Sequence, residues 1–96
     1  MTIININEGS GVRLATINAA VGKAARVRIV GVSDAIESVV LGVGVNDVHA
    51  RAVPGGEWEA TLPATLFSTA RRLDYSVDGY IEDECVYLGG GTVIVS

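Results

Sequence analysis

Glu57 to Leu62 constrains the fold of this chain most. Trp58, Ala60 and Leu62 alternate with Glu57, Glu59 and Thr61. A period of two with one apolar face reads as a half-buried strand and suits no helix. Pro54, Gly55 and Gly56 ahead of it form a turn. Pro63 behind it stops the strand and suits the start of a short helical turn through Leu66 and Phe67. The same texture runs along the chain: short apolar runs punctuated by glycine, with 12 glycines against 2 prolines. That texture predicts an all-β domain.

Other strands follow. Thr2 to Ile6 is predicted as a strand, then a turn from Asn7 to Gly11, then a strand from Val12 to Ile17. A helix competes for this last segment, because Leu14, Ile17 and Val21 fall at helical spacing among Ala15, Ala19, Ala20, Ala24 and Ala25. Both readings of residues 14–25 are open at this point. Ala25 to Val32 is a strand with Val27 and Ile29 on one face and Arg26 and Arg28 on the other. Ser33 and Asp34 turn the chain. Ser38 to Val45 is a strand with Val39, Leu41, Val43 and Val45 facing the core. Gly42 and Gly44 then mark a face where something packs close. Asn46 and Asp47 are expected to turn, and Val48 to Val53 to form a strand. Leu73, Tyr75 and Val77 alternate with Asp74, Ser76 and Asp78. Asp78-Gly79 is a hairpin signal, with Glu82, Asp83 and Glu84 as a competing turn. Cys85 to Leu88 and Thr92 to Val95 are two strands, or one strand kinked at Gly89, Gly90 and Gly91. Seven or eight short strands at this spacing indicate an antiparallel β-sandwich or small barrel.

A chain of 96 residues supports one domain, residues 1–96. It is 49% apolar and 19% charged, too apolar for a disordered segment. A net charge of −4 opposes binding to phosphate backbones or anionic membranes. The same charge is small for an acidic mimic of nucleic acid. No apolar run approaches the ~18 residues of a membrane span. The residues from Met1 to Glu8 lack the basic start and apolar stretch of a secretory signal. One cysteine excludes an internal disulfide, so folding in a reducing cytoplasm is expected.

No residue pattern here points to catalysis. His49, the single histidine, has Asp47 nearby but no serine in a nucleophile elbow. One His and one Cys are too few for a tetrahedral zinc site. Cys85 follows Asp83 and Glu84, which raise a thiol pKa. Glu82, Asp83 and Glu84 with Asp78 do not follow the alternating ligand pattern of a calcium loop. Gly89 to Thr92 has no following lysine or helix, and Gly42 and Gly44 lack the third glycine of a dinucleotide fingerprint. Trp58 reads as a core anchor, and Arg71-Arg72 as the end of a loop. No catalytic, cofactor-binding or metal residue is therefore expected.

Three stretches carry a resemblance. Gly56 to Phe67 is a strand running into a proline-led turn, Leu73 to Gly79 a tyrosine-containing strand, and Val86 to Val95 a glycine-interrupted closing strand. Together they resemble small immunoglobulin-like β-sandwich domains of tailed-phage and prophage structural proteins, such as baseplate, tail and head-fibre components. Ile4 to Leu14 is similar to their opening strand, turn and second strand. The likeness covers residues 1–17 and 56–96. It implies an immunoglobulin-like antiparallel sandwich and a non-enzymatic building or decorating role in a virion, folded in the host cytoplasm. Its partners would be other virion proteins or copies of itself in a homo-oligomer. The rival expectation is a ferredoxin-like α+β domain, a cytoplasmic regulatory ligand-binder or enzyme subunit, which requires a helix over residues 14–25.

Overall fold

The computed structural model describes residues 1–6 and 13–96. Nine strands are found among them: β1 (Thr2–Asn5), β2 (Ile17–Ala19), β3 (Ala25–Val30), β4 (Ser38–Val43), β5 (Asn46–His49), β6 (Arg51–Val53), β7 (Glu57–Leu62), β8 (Arg71–Ile81) and β9 (Glu84–Val95). One 3₁₀ turn, Ala64–Phe67, follows Pro63 as expected. The described residues contain no α-helix, and none of their segments is a helix long and apolar enough to cross a membrane. The helix weighed for residues 14–25 is absent, and with it the α+β expectation: Ile17 and Ala19 are buried as alternate residues of a short strand. Alanine favours a helix only weakly, and tertiary burial of Ile17 overrides it. The expected turn from Asn7 to Gly11, and Val12, lie outside the described residues.

The strands form two sheets, in the orders β1-β3-β7-β6 and β2-β9-β8-β4-β5. The all-β expectation holds, but with nine strands instead of seven or eight, and with mixed sheets. β1 runs parallel to β3, and β2 parallel to β9; the remaining pairs are antiparallel. The inner faces share one core. Ile4, Val27, Ile29, Ala60 and Leu62 come from the first sheet, and Val39, Leu41, Val43, Tyr75, Val77 and Val93 from the second.

Several turns fall elsewhere than expected. Val43 pairs with Asn46, so Gly44 and Val45 form the β4–β5 turn and Asn46-Asp47 lies in a strand. Gly44 has φ +60°, which a two-residue hairpin turn uses and which glycine adopts without steric cost. Val45 thereby leaves the core and is 99% exposed. The strand expected from Val48 to Val53 is divided at Ala50, where the chain passes from one sheet to the other. Asp78-Gly79 does not turn. Gly79 lies within β8 because Ile36 packs over it: an added Cβ would stand 2.9 Å from the Ile36 Cδ1. The chain reverses instead at Glu82-Asp83, between the paired Ile81 and Glu84. β9 is one continuous strand whose register shifts opposite Val77/Asp78, leaving Leu88 as the extra residue of a bulge.

The glycine run in β9 is a packing device. Gly89 takes the Leu14 side chain against its backbone, and Gly91 takes the Tyr75 ring. Tyr75 is 3% exposed, and its hydroxyl donates to the carbonyl of Ala15. Burial pushes this phenol up to about 12. On the outer face, Gly42 similarly faces the Ser76 hydroxyl, where an added Cβ would come within 2.9 Å.

Candidate interaction surface

Two outer features of the sheets stand out. The first is a ladder of charges across β3, β7 and β6. Register places Arg28 beside Glu59 and Glu59 beside Arg51, all on the outer face. Arg28 reaches Glu59 at 2.8 Å and Glu57 at 2.9 Å, Arg26 reaches Glu59 at 2.9 Å, and Arg51 does so at 3.5 Å. Glu59 points outward as the alternation predicts, yet it is 6% exposed because arginines cover it. The ladder ties three strands together and engages these charges with each other.

Its pH signature is defined. Hydrogen bonds from Arg26, then Arg28, outweigh the cost of burial and hold the Glu59 carboxyl at about 2, against an ordinary 4.5. A depressed folded-state pKa contributes stability that is full above the unfolded value and lost as pH falls through the folded one. The thermal midpoint should therefore fall between pH 4.5 and pH 2. Glu59→Gln should start lower at neutral pH and fall less over that window. Calorimetry of both proteins across this range checks it, and identical slopes would remove Glu59 as the cause.

The second feature is a sheet edge that the described residues leave open. The β8–β9 hairpin pairs from Arg71 with Val95 to Ile81 with Glu84, broken only at the Leu88 bulge. On the other side of β9, β2 covers only Val93 to Val95, and Arg13 bridges Gly90. No described residue pairs with the outer edge from Glu84 to Leu88. Glu84, Cys85, Val86 and Tyr87 are all exposed, Tyr87 by 58% and Val86 by 36%. Exposed apolar side chains on an open strand edge mark a place where another strand can add. The other edge strands, β1, β2, β5 and β6, have four residues or fewer.

The residues weighed in the sequence do not assemble into a reaction site. His49 and Asp47 lie on one face of β5, opposite Val40 and Gly42. Cys85 is exposed, opposite Tyr80, whose phenol is pushed up by its hydrogen bond to the thiol. Glu82 and Asp83 form the hairpin turn; Glu82 has φ +56°, and its N–H donates to the Glu37 carboxylate. No group of three metal-ligating side chains occurs among the described residues. Gly89 to Thr92 is strand, Trp58 is half-buried against the core, and Arg71-Arg72 open β8 instead of ending a loop. The charge ladder was missed as a unit. Its signal was the pair Arg26 and Arg28 two apart, matched by Glu57 and Glu59 two apart. No protein-family model matches the sequence, and no curated protein is significantly similar to it.

Proposed function

We propose that this chain is a non-enzymatic assembly protein, an immunoglobulin-like structural or decorating component of a phage or prophage virion. It works by docking other virion proteins, or further copies of itself, through β9. The observation that carries the reading is the outer edge from Glu84 to Leu88, with which no described residue pairs, and Val86 and Tyr87 exposed on it. Strand addition there supplies main-chain hydrogen bonds for affinity and side-chain positions for specificity. The virion setting rests on the resemblance of Gly56–Phe67, Leu73–Gly79 and Val86–Val95 to tailed-phage domains. The rival ligand-binder has lost the helix it required.

The test is the composition of purified particles from a host producing the chain. Stoichiometric copies are expected in intact particles, reduced strongly by Val86→Lys in a protein that remains folded. A chain missing from intact particles would overturn the virion reading, and unaffected incorporation of Val86→Lys would remove the β9 edge from it.

A further inference from the structure

We infer that the β9 edge takes a second copy of this chain, pairing antiparallel across a two-fold axis at Val86; this rests on the docking reading above. Among the described residues, the outer edge of β9 before Gly90 is unpaired, and the hairpin register says which of its backbone groups face outward. Glu82 and Asp83 form a two-residue turn, and its flanking pair, Ile81 and Glu84, turns its hydrogen-bonding groups toward each other. Alternate residues point the other way, so Cys85 and Tyr87 direct their N–H and C=O outward. Centring the axis on Val86 places Cys85 of one copy opposite Tyr87 of the other. Both residues of that pair have outward groups, so they exchange two hydrogen bonds. The same register overlaps the whole open stretch, Glu84 opposite Leu88 at each end.

The ends of the stretch identify the occupant. One end is the acidic turn, Glu82 and Asp83; the other is Arg13, which takes over the edge at Gly90. A strand fitting this edge antiparallel to β9 should therefore meet Arg13 with an acidic end and the acidic turn with a basic one. A second copy does both at once: the acidic turn of each arrives at Arg13 of the other. Isologous pairing also covers Val86 and Tyr87 on both copies with one contact. The two Cys85 are offset by two residues, about 7 Å along the strands before the spacing across the pair is added. That exceeds the reach of a disulfide, so association is independent of reductant. Five residues a side fall well short of the ~20–30 of a stable complex, so the dimer is weak and depends on concentration.

Sedimentation under reducing conditions, from about 10 µM to about 1 mM chain, should show a monomer–dimer equilibrium. Arg13→Glu and Glu82→Lys should each weaken it about three- to ten-fold. The double variant should restore it, because each altered end then meets its altered complement. Amide exchange supplies a residue-level readout: at high concentration the Cys85 and Tyr87 amides should slow while exposed turn amides do not. A chain that stays monomeric at the top concentration overturns the inference, as does a dimer indifferent to both charge reversals with those two amides unprotected. If such a monomer still enters particles in a manner sensitive to Val86→Lys, the docking reading stands and only the second copy is wrong.

Discussion

Gly91→Val should destabilise the chain by about 2–4 kcal/mol, combining roughly 1–3 for overpacking with about 1 for a lost hydrogen bond. The first Cβ atom alone would stand 2.8 Å from the Tyr75 ring and 2.9 Å from the Leu14 carbonyl. The ring can swing only by abandoning the bond from its hydroxyl to Ala15, and the carbonyl is backbone. Urea unfolding checks the magnitude, which is a large part of a typical 5–15 kcal/mol. Tyr75→Phe should cost about 1 kcal/mol alone and nearly nothing in the Gly91→Val background, since the bond is already gone. Gly22→Val is the informative comparison. Gly22 has φ +76° and nothing within 4 Å of an added Cβ, so only the backbone cost, about 1–2 kcal/mol, is expected there. Equal losses at the two glycines would refute the steric account of the β9 run.

That run also shows what the sequence could carry. Gly89, Gly90 and Gly91 read as a kink or turn, because glycine between apolar runs usually punctuates. Their reason lies mainly in Leu14 and Tyr75, far away in the chain, which between them pack against all three. Gly79 repeats the lesson: Asp-Gly is a strong local turn signal, yet Ile36 needs the space above it. Where one face is buried and the strand is long, period two was sufficient, as in β7, β3 and the middle of β8. Where the strand has three residues, as in β2, no period can be expressed and the alanines spoke for a helix. Val45 continued the alternation of Val39, Leu41 and Val43, but the backbone preference of Gly44 ended the strand first.

Pairing was the least legible level. β1 lies beside β3 and β2 beside β9, both parallel, and nothing in Thr2–Asn5 or Ile17–Ala19 encodes its neighbour. The open edge of β9 inherits that difficulty. Cys85 to Leu88 was readable as a strand, but that no described residue pairs with its outer edge depends on β2 docking only at Val93 to Val95. The charge ladder lay nearer the surface of the sequence: spacing gave each half, and only the register of β3 on β7 joined them.

Phe67→Ala should cost about 3–5 kcal/mol, the range for deleting a buried phenyl ring. Phe67 is the only phenylalanine and is fully buried. It sits where the chain leaves β7 in one sheet for β8 in the other, so it fills the space between the sheets at that crossing. Pro63, with φ −67°, sets the 3₁₀ turn that delivers Leu66 and Phe67 inward. The turn is tied from outside as well: Gly22 N–H donates to the Phe67 carbonyl at 2.8 Å, and the Arg71 guanidinium to the Leu66 carbonyl at 3.4 Å. Backbone held this way cannot collapse far into the vacated volume, which places the cost toward the upper end of the range. Urea unfolding should show a lower midpoint with an unchanged slope if the chain remains two-state. Phe67→Leu should lose less than about 1.5 kcal/mol. Phe67 takes no part in the Glu84–Leu88 edge, so folded Phe67→Leu should associate at the parent's concentrations. A loss under about 1 kcal/mol for Phe67→Ala, far below the buried-ring range, would mean that the sheets close without the turn.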